Sequence, residues 1–160
     1  MELTSEKFIY YLEKLTGIKN LICNDYTLRG AGIHRIKRGG FLQMHTDFNT
    51  YKHPKYGKLD RRINLLVYLN KEWKDSYNGH LLIVDKESKK IVEKIEPIVN
   101  KCVIFNTCKD SLHGHPEELN TPDNIDRESL AMYYYTKNEN GGVDFEGDKP
   151  HSTLWYELEY

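Results

Sequence analysis

The chain changes character at Gly17. Before it, Phe8, Leu12 and Leu15 share one stripe of a helix, with Thr4 placed to cap it and Gly17 to end it. From about Ile18 onward the helical period largely gives way to short β-prone runs at residues 21–23, 33–36, 41–47, 63–69, 81–84, 91–95, 103–105 and 130–135. Turn-forming clusters separate them, among them Arg38-Gly-Gly40, Ser76-Tyr-Asn-Gly79 and Lys109-Asp-Ser111. One opening helix followed by many short strands predicts a mainly β fold. The expected form is a sandwich or barrel of jelly-roll type, with the N-terminal helix packed on one sheet.

The 160 residues suit a single domain, 1–160, large enough to bury a core without staples. A formal net charge of −1 gives no global reason to expect nucleic acid or a membrane surface as partner. No apolar run approaches a membrane span, and the start Met-Glu-Leu-Thr-Ser-Glu lacks the regions of a signal peptide. Three cysteines without paired spacing, Cys23, Cys102 and Cys108, read as reduced thiols, so a cytoplasmic location is expected. Residues 138–149 read as a loop and 153–160 as a last strand. Residues 48–62 read as a long polar insertion in which Lys52, Lys55, Lys58, Arg61 and Arg62 outnumber Asp60.

Chemistry enters with Phe41-Leu-Gln-Met-His45-Thr-Asp47. In an extended strand residues i and i+2 face the same way, so His45 and Asp47 present an imidazole and a carboxylate together. Such a pair is two thirds of a 2-His-1-carboxylate face for non-haem Fe(II), and as a tripeptide it is also common on solvated surfaces. The third ligand has to come from a distant strand. Ser111-Leu-His113-Gly-His115 supplies two candidates of equal parity, so alternation does not choose between His113 and His115.

Downstream, Arg127-Glu-Ser-Leu-Ala-Met132 opens a strand with a guanidinium able to bind a carboxylate bidentately. On its face follow Ser129 and Ala131, small enough to leave room for a ligand, while Leu130 and Met132 face the core. The same parity divides residues 62–70: Ile63, Leu65, Val67 and Leu69 share one face, and Asn64, Leu66 and Tyr68 the other. The second face suits a pocket or, equally, a strand buried on both sides with its polar tips satisfied.

Together His45-x-Asp47, His113, Arg127 and the run Arg61-Arg-Ile-Asn-Leu-Leu-Val-Tyr68-Leu-Asn-Lys-Glu-Trp73 resemble the 2-oxoglutarate- and Fe(II)-dependent oxygenases of the prolyl 4-hydroxylase-like group. The resemblance covers about residues 33–136. It implies a double-stranded β-helix, a cupin-like jelly roll, with iron held by His45, Asp47 and His113. It also implies a cosubstrate pocket in which Arg127 pairs with the far carboxylate of 2-oxoglutarate and Tyr68 lies beside it, with Asn64 and Ser129 lining it.

The implied cofactors are Fe(II), 2-oxoglutarate as cosubstrate and O2, with ascorbate in a supporting role. The implied reaction is hydroxylation of an unactivated C–H bond, first of all in a peptidyl proline, with release of succinate and CO2. A free amino acid or other small molecule is the alternative substrate, and oligomeric state is left open. Asp47 favours hydroxylation over halogenation, because related halogenases lack this carboxylate. The expected substrate contacts are Lys55, Lys58 and Arg62 of the basic insertion, with His115 at the pocket. An acidic peptide or anionic ligand is their expected partner.

The chain departs from the family pattern in two places. Asn78-Gly-His-Leu-Leu82 stands where many relatives carry Gly-Gly-x-Leu-Glu, and Ile33-His-Arg-Ile36 where a tyrosine often precedes the glycines. Two readings of other classes compete. A cupin-like metal protein would be indifferent to 2-oxoglutarate and would leave Arg127 unexplained. A non-catalytic jelly-roll binding module would not bind Fe(II) tightly.

Overall fold

The computed structural model describes residues 2–137 and 149–157. A 3-10 turn (Glu2–Thr4) leads into helix α1 (Glu6–Thr16). The strands that follow are β1 (Gly32–Ile36), β2 (Leu42–Thr46), β3 (Thr50–His53), β4 (Gly57–Tyr68), β5 (Leu81–Val84), β6 (Ile91–Ile95), β7 (Cys102–Asn106), β8 (Leu112–His115), β9 (Arg127–Lys137) and β10 (Leu154–Trp155). They form two antiparallel sheets. The first is ordered β1-β9-β4-β3 with β7 also on β4, and the second β10-β2-β8-β5-β6. Apart from the hairpins β3–β4 and β5–β6, every connection passes from one sheet to the other. That winding is the double-stranded β-helix, and it brings together strands remote in sequence.

β4 is the spine of the first sheet, with β9 along one edge and β3 followed by β7 along the other. Its helix-side residues Ile63 and Leu65 join Met132 and Tyr134 of β9 under Ile9 and Leu12 of α1. Burying each such aliphatic side chain contributes about 1.5–3 kcal/mol. The other face of β4 and β9 is thereby turned toward the second sheet, where the polar residues gather. On the far side of that second sheet, Met44, Val84 and Leu112 form a smaller cluster packed by Leu82 and Tyr156.

Three expectations are corrected. The helix is capped by Ser5, whose hydroxyl accepts from Phe8 N at 3.2 Å, because Thr4 is taken up in the preceding 3-10 turn. Leu15 is 70% exposed. It lies about 60° round the helix from Leu12 on the side away from Ile9, and the sheet takes the Ile9 side.

The third concerns residues 48–62, which are a β-hairpin rather than a loop: Thr50–His53 pairs with Gly57–Asp60. The turn is closed by His53, whose Nδ1 accepts from Lys55 N and Tyr56 N while its Nε2 meets Asp25 at 3.2 Å. The polar composition that suggested a loop belongs to an edge hairpin with exposed Lys52 and Lys58 opposite each other, and charged edges discourage further strand pairing.

Residues 21–23 make only a bridge, Leu21 to Thr136. Of the expected tail elements, residues 138–148 and 158–160 lie outside the described residues. All three cysteines are free. No helix among the described residues is long and apolar enough to cross a membrane.

Candidate active site

His45 sits on β2, Asp47 just beyond its end, and His113 on β8. The register places His45 directly opposite His113, whereas His115 pairs with Leu42 one step along. Register thus separates the two histidines that parity left equivalent. Gly114 between them permits the approach of the two strands. A Cβ there would lie 2.8 Å from Leu42 O and 2.9 Å from Gln43 O. The candidate ligand atoms of His45, Asp47 and His113 all lie within 4.8 Å of one another.

Each imidazole is oriented by its own strand. His45 Nδ1 donates to Gln43 O at 2.8 Å and His113 Nδ1 to Ser111 O at 2.7 Å. Those bonds select the tautomer whose Nε2 carries a lone pair. The two Nε2 atoms face Asp47 at 3.6 and 3.5 Å. Three acceptor atoms facing one another repel unless a cation stands between them, and two nitrogens with one carboxylate oxygen suit Fe(II). Burial, offset in part by Asp47, lowers His113 to about 4 and keeps it neutral, as a metal ligand must be.

Asp47 is held from behind. Its Oδ2 accepts from Arg61 Nη2 at 3.0 Å and from Asn64 Nδ2 at 2.5 Å. Burial opposes its charge, yet the Arg61 guanidinium and the hydrogen bond from Asn64 favour the carboxylate and hold it well below the usual carboxylate range. With Oδ2 engaged, Oδ1 is the oxygen left for a metal. Arg61 is itself fixed by Asn64 Oδ1, and its guanidinium lies 3.7 Å from the centre of the Tyr133 ring and 4.5 Å from that of Phe48. Sequence parity missed Arg61, because the register of β4 against β9 shifts between Arg61 and Ile63. That bulge turns an odd-numbered side chain onto the face of Asn64 and Tyr68.

A second buried arginine closes the other end. Arg127 is 5% exposed, and its Nε donates to Gly79 O at 2.7 Å while Nη2 reaches Tyr68 OH at 3.4 Å. Among the described residues Arg61 has a carboxylate partner and Arg127 has none. Burial lowers the pKa of Arg127 and raises that of Tyr68. Ser129 is buried directly across from Tyr68. His115 is also buried, and neither ring nitrogen has a hydrogen-bond partner among the described residues. Burial, then the charges of Arg127 and His45, lower it to about 3.

Gly79 anchors Arg127 through its carbonyl and has φ +73. A Cβ there would meet Leu119 Cδ2 at 2.3 Å. The Asn78-Gly79 dipeptide signalled a turn, but nothing local linked it to Arg127.

The remaining expected residues divide between the Asp47 end of the site and other surfaces. Asn64 serves Asp47 and Arg61, with no hydrogen bond to Arg127 or Tyr68. Arg62 Nη1 donates to Thr136 Oγ1, on the β9 face shared with Met132 and Tyr134, which is the helix side. Lys58 is exposed on the hairpin edge, and Lys55 lines a cleft with Asp25, His53 and Tyr56. A different cleft, of about 520 Å³, opens beside Phe48 and includes Arg29, Tyr51, Lys52 and His151. One wall of it is the C-terminal segment, tied down by fully buried Asn49. Asn49 Nδ2 donates to Lys149 O at 2.9 Å, and its Oδ1 accepts from His151 N at 2.8 Å. Farther along, β10 pairs with β2 and sets Trp155 5.0 Å from the His45 ring.

Comparison with curated proteins gave no match. Among solved structures the chain is similar to a Pseudomonas putida prolyl-4-hydroxylase, at 16% identity and a TM-score of 0.49, covering 84% of this chain and 62% of that one. It is also similar to iron-bound HygX from Streptomyces hygroscopicus, at 10% identity and a TM-score of 0.45, covering 94% and 78%. The chain therefore spans less than two thirds of the Pseudomonas protein. Residues 31–135 match the family described as the 2OG-Fe(II) oxygenase superfamily. As that match takes in well over half of the chain, from β1 almost to the end of β9, the chain belongs to the 2OG-Fe(II) oxygenase superfamily.

Proposed function

We propose that the protein is an Fe(II)- and 2-oxoglutarate-dependent hydroxylase, with a peptidyl proline first among its substrates. The observation that carries the cosubstrate assignment is Arg127, a buried cation without a carboxylate of its own among the described residues. An uncompensated buried charge costs several kcal/mol, and an incoming carboxylate removes that cost. His45, Asp47 and His113 would hold the iron, with Oδ1 as the ligating oxygen of Asp47. Arg127 and Tyr68, with Ser129 beside them, would bind the far carboxylate of 2-oxoglutarate.

The chemistry supplied by the bound metal and cosubstrate is oxidative decarboxylation to succinate and CO2, coupled to conversion of a substrate C–H to C–OH. The chain's own residues orient and exclude. Gln43 O and Ser111 O fix the two imidazoles, Arg61 and Asn64 limit Asp47 to one free oxygen, and the two sheets keep the pocket dry.

For the substrate, the prolyl reading rests on the resemblance of the Arg61–Trp73 run, with the His-Asp-His set and Arg127, to the prolyl 4-hydroxylase-like group. The expected recognition of an acidic or anionic substrate moves from Lys55, Lys58 and Arg62 to Arg29 and Lys52, because these line the cleft that includes Phe48, the residue after Asp47.

Purified protein given Fe(II), 2-oxoglutarate, O2 and ascorbate should release succinate, faster with its substrate. A panel of prolyl peptides, acidic and neutral, beside free amino acids identifies that substrate. A response confined to free amino acids would overturn the peptidyl reading. Absence of both turnover and anaerobic 2-oxoglutarate binding would overturn the hydroxylase reading.

A further inference from the structure

We infer that His115 is a specificity-determining residue of the cosubstrate pocket: its ring donates a hydrogen bond to the far carboxylate of a 2-oxo diacid and completes a clamp with Arg127 and Tyr68. The inference rests on the proposed use of 2-oxoglutarate and adds a residue whose part in it has not been defined.

Two unsatisfied groups meet in one place. His115 is 2% exposed, and neither of its ring nitrogens has a hydrogen-bond partner among the described residues. A buried polar group left in that condition destabilises the fold until a partner satisfies it. Leu112 faces the outer cluster of the second sheet with Met44, so alternation turns His113 and His115 inward, toward the sheet that carries Tyr68 and Arg127. His115 lies about 7 Å beyond His113 along β8, a step comparable with the length of a five-carbon diacid.

Gly114 pairs with Leu82 of β5, which sets His115 level with Leu81, two residues from the Gly79 carbonyl that holds Arg127; among the described residues that guanidinium bonds to Gly79 O and Tyr68 OH alone. A water molecule could satisfy the imidazole but would leave the buried cation uncompensated. A carboxylate satisfies both, because its two oxygens offer about four acceptor positions. The His-Gly-His sequence then has two duties: His113 serves the metal end of the pocket and His115 the carboxylate end.

The role makes a distinction that a space-filling residue would not. A 2-oxo diacid reaches the clamp, whereas a 2-oxo monoacid such as 2-oxobutanoate has the same chelating end and nothing for His115 to hold. The test is anaerobic binding of 2-oxoglutarate and of 2-oxobutanoate to the Mn(II)-loaded protein, read by calorimetry, for wild type, H115L, H115Q and R127Q. H115L should bind 2-oxoglutarate about ten-fold more weakly and 2-oxobutanoate as wild type does. H115Q, which keeps a donor, should recover most of the loss.

An unchanged affinity of H115L for 2-oxoglutarate, or an equal loss for both ligands, would overturn the inference. Should H115L fail to fold, ring-nitrogen resonances of His115 in the Zn(II)-loaded wild type provide the second measurement. They should shift with 2-oxoglutarate and stay in place with 2-oxobutanoate, and the absence of that difference would refute the contact. R127Q separates the two levels of the reading. If 2-oxoglutarate binding weakens in R127Q but not in H115L, the pocket stands and only the His115 assignment falls; if the wild type binds no 2-oxoglutarate, the cosubstrate reading falls with it.

Discussion

Replacing Arg127 with methionine should separate folding from function, because the two place opposite demands on this side chain. In the ligand-free protein Arg127 is a buried guanidinium with two neutral partners, Gly79 O and Tyr68 OH, and no carboxylate among the described residues. Arg127→Met forfeits the bond to Gly79, worth about 1.5–3 kcal/mol for a charged donor. It also relieves the desolvation of an unpaired cation, a cost of several kcal/mol. The metal-free variant should therefore be at least as stable as wild type in urea.

Binding should suffer instead. Two charge-assisted hydrogen bonds to a carboxylate contribute about 3 kcal/mol together, so 2-oxoglutarate affinity should fall about 100-fold. At a ligand concentration 100 times the wild-type Kd, the wild type gains about 2.7 kcal/mol of stability, and the variant should gain well under 1 kcal/mol. Urea titrations with and without 2-oxoglutarate, in the Mn(II)-loaded protein, read both effects. A loss of about 3–5 kcal/mol in the ligand-free variant, with unchanged cosubstrate affinity, would refute the reasoning, since that is the mark of breaking an internally paired charge.

Three further outcomes follow from the same geometry. Gly79→Ala forces a side chain into φ +73 and against Leu119, so it should destabilise the fold by about 1–2 kcal/mol and also weaken 2-oxoglutarate binding by displacing the carbonyl that aims Arg127; a stability loss with unchanged binding would sever that link. Asn49→Ala should free the C-terminal segment by removing the side-chain bonds to Lys149 and His151, which added protease and Trp155 fluorescence would both report; unchanged signals would deny Asn49 the anchoring role. The metal-free protein should lose stability as pH falls from about 6.5 toward 4, because burial depresses His113 to about 4 and His115 to about 3, so the unfolded chain binds more protons in that window. The slope is about 1.4 kcal/mol per pH unit for each ring, and urea midpoints for H113L and H115L should each show a shallower dependence.

Periodicity by itself determined a good part of this protein. The opening helix, most of the strands and the inward faces of β4 and β9 follow from alternation of apolar and polar residues, which is a local property. His45 and Asp47 share a face for the same reason. Asn64 and Tyr68 likewise share one face of β4, and Arg127 and Ser129 one face of β9, as parity assigned them.

What alternation could not reach are relations between strands. Only the pairing of β2 with β8 sets His113 opposite His45 and His115 one step away. Only the bulge in β4 brings Arg61 behind Asp47, where Asn64 bonds to both of them. Charge along the chain suggested a basic loop, yet backbone pairing made it an edge hairpin and spread its cations over different surfaces. Side-chain direction along a strand is written in the period of two, whereas register, bulges and the partner of a buried charge depend on which strands meet, and that was decided by the tertiary fold.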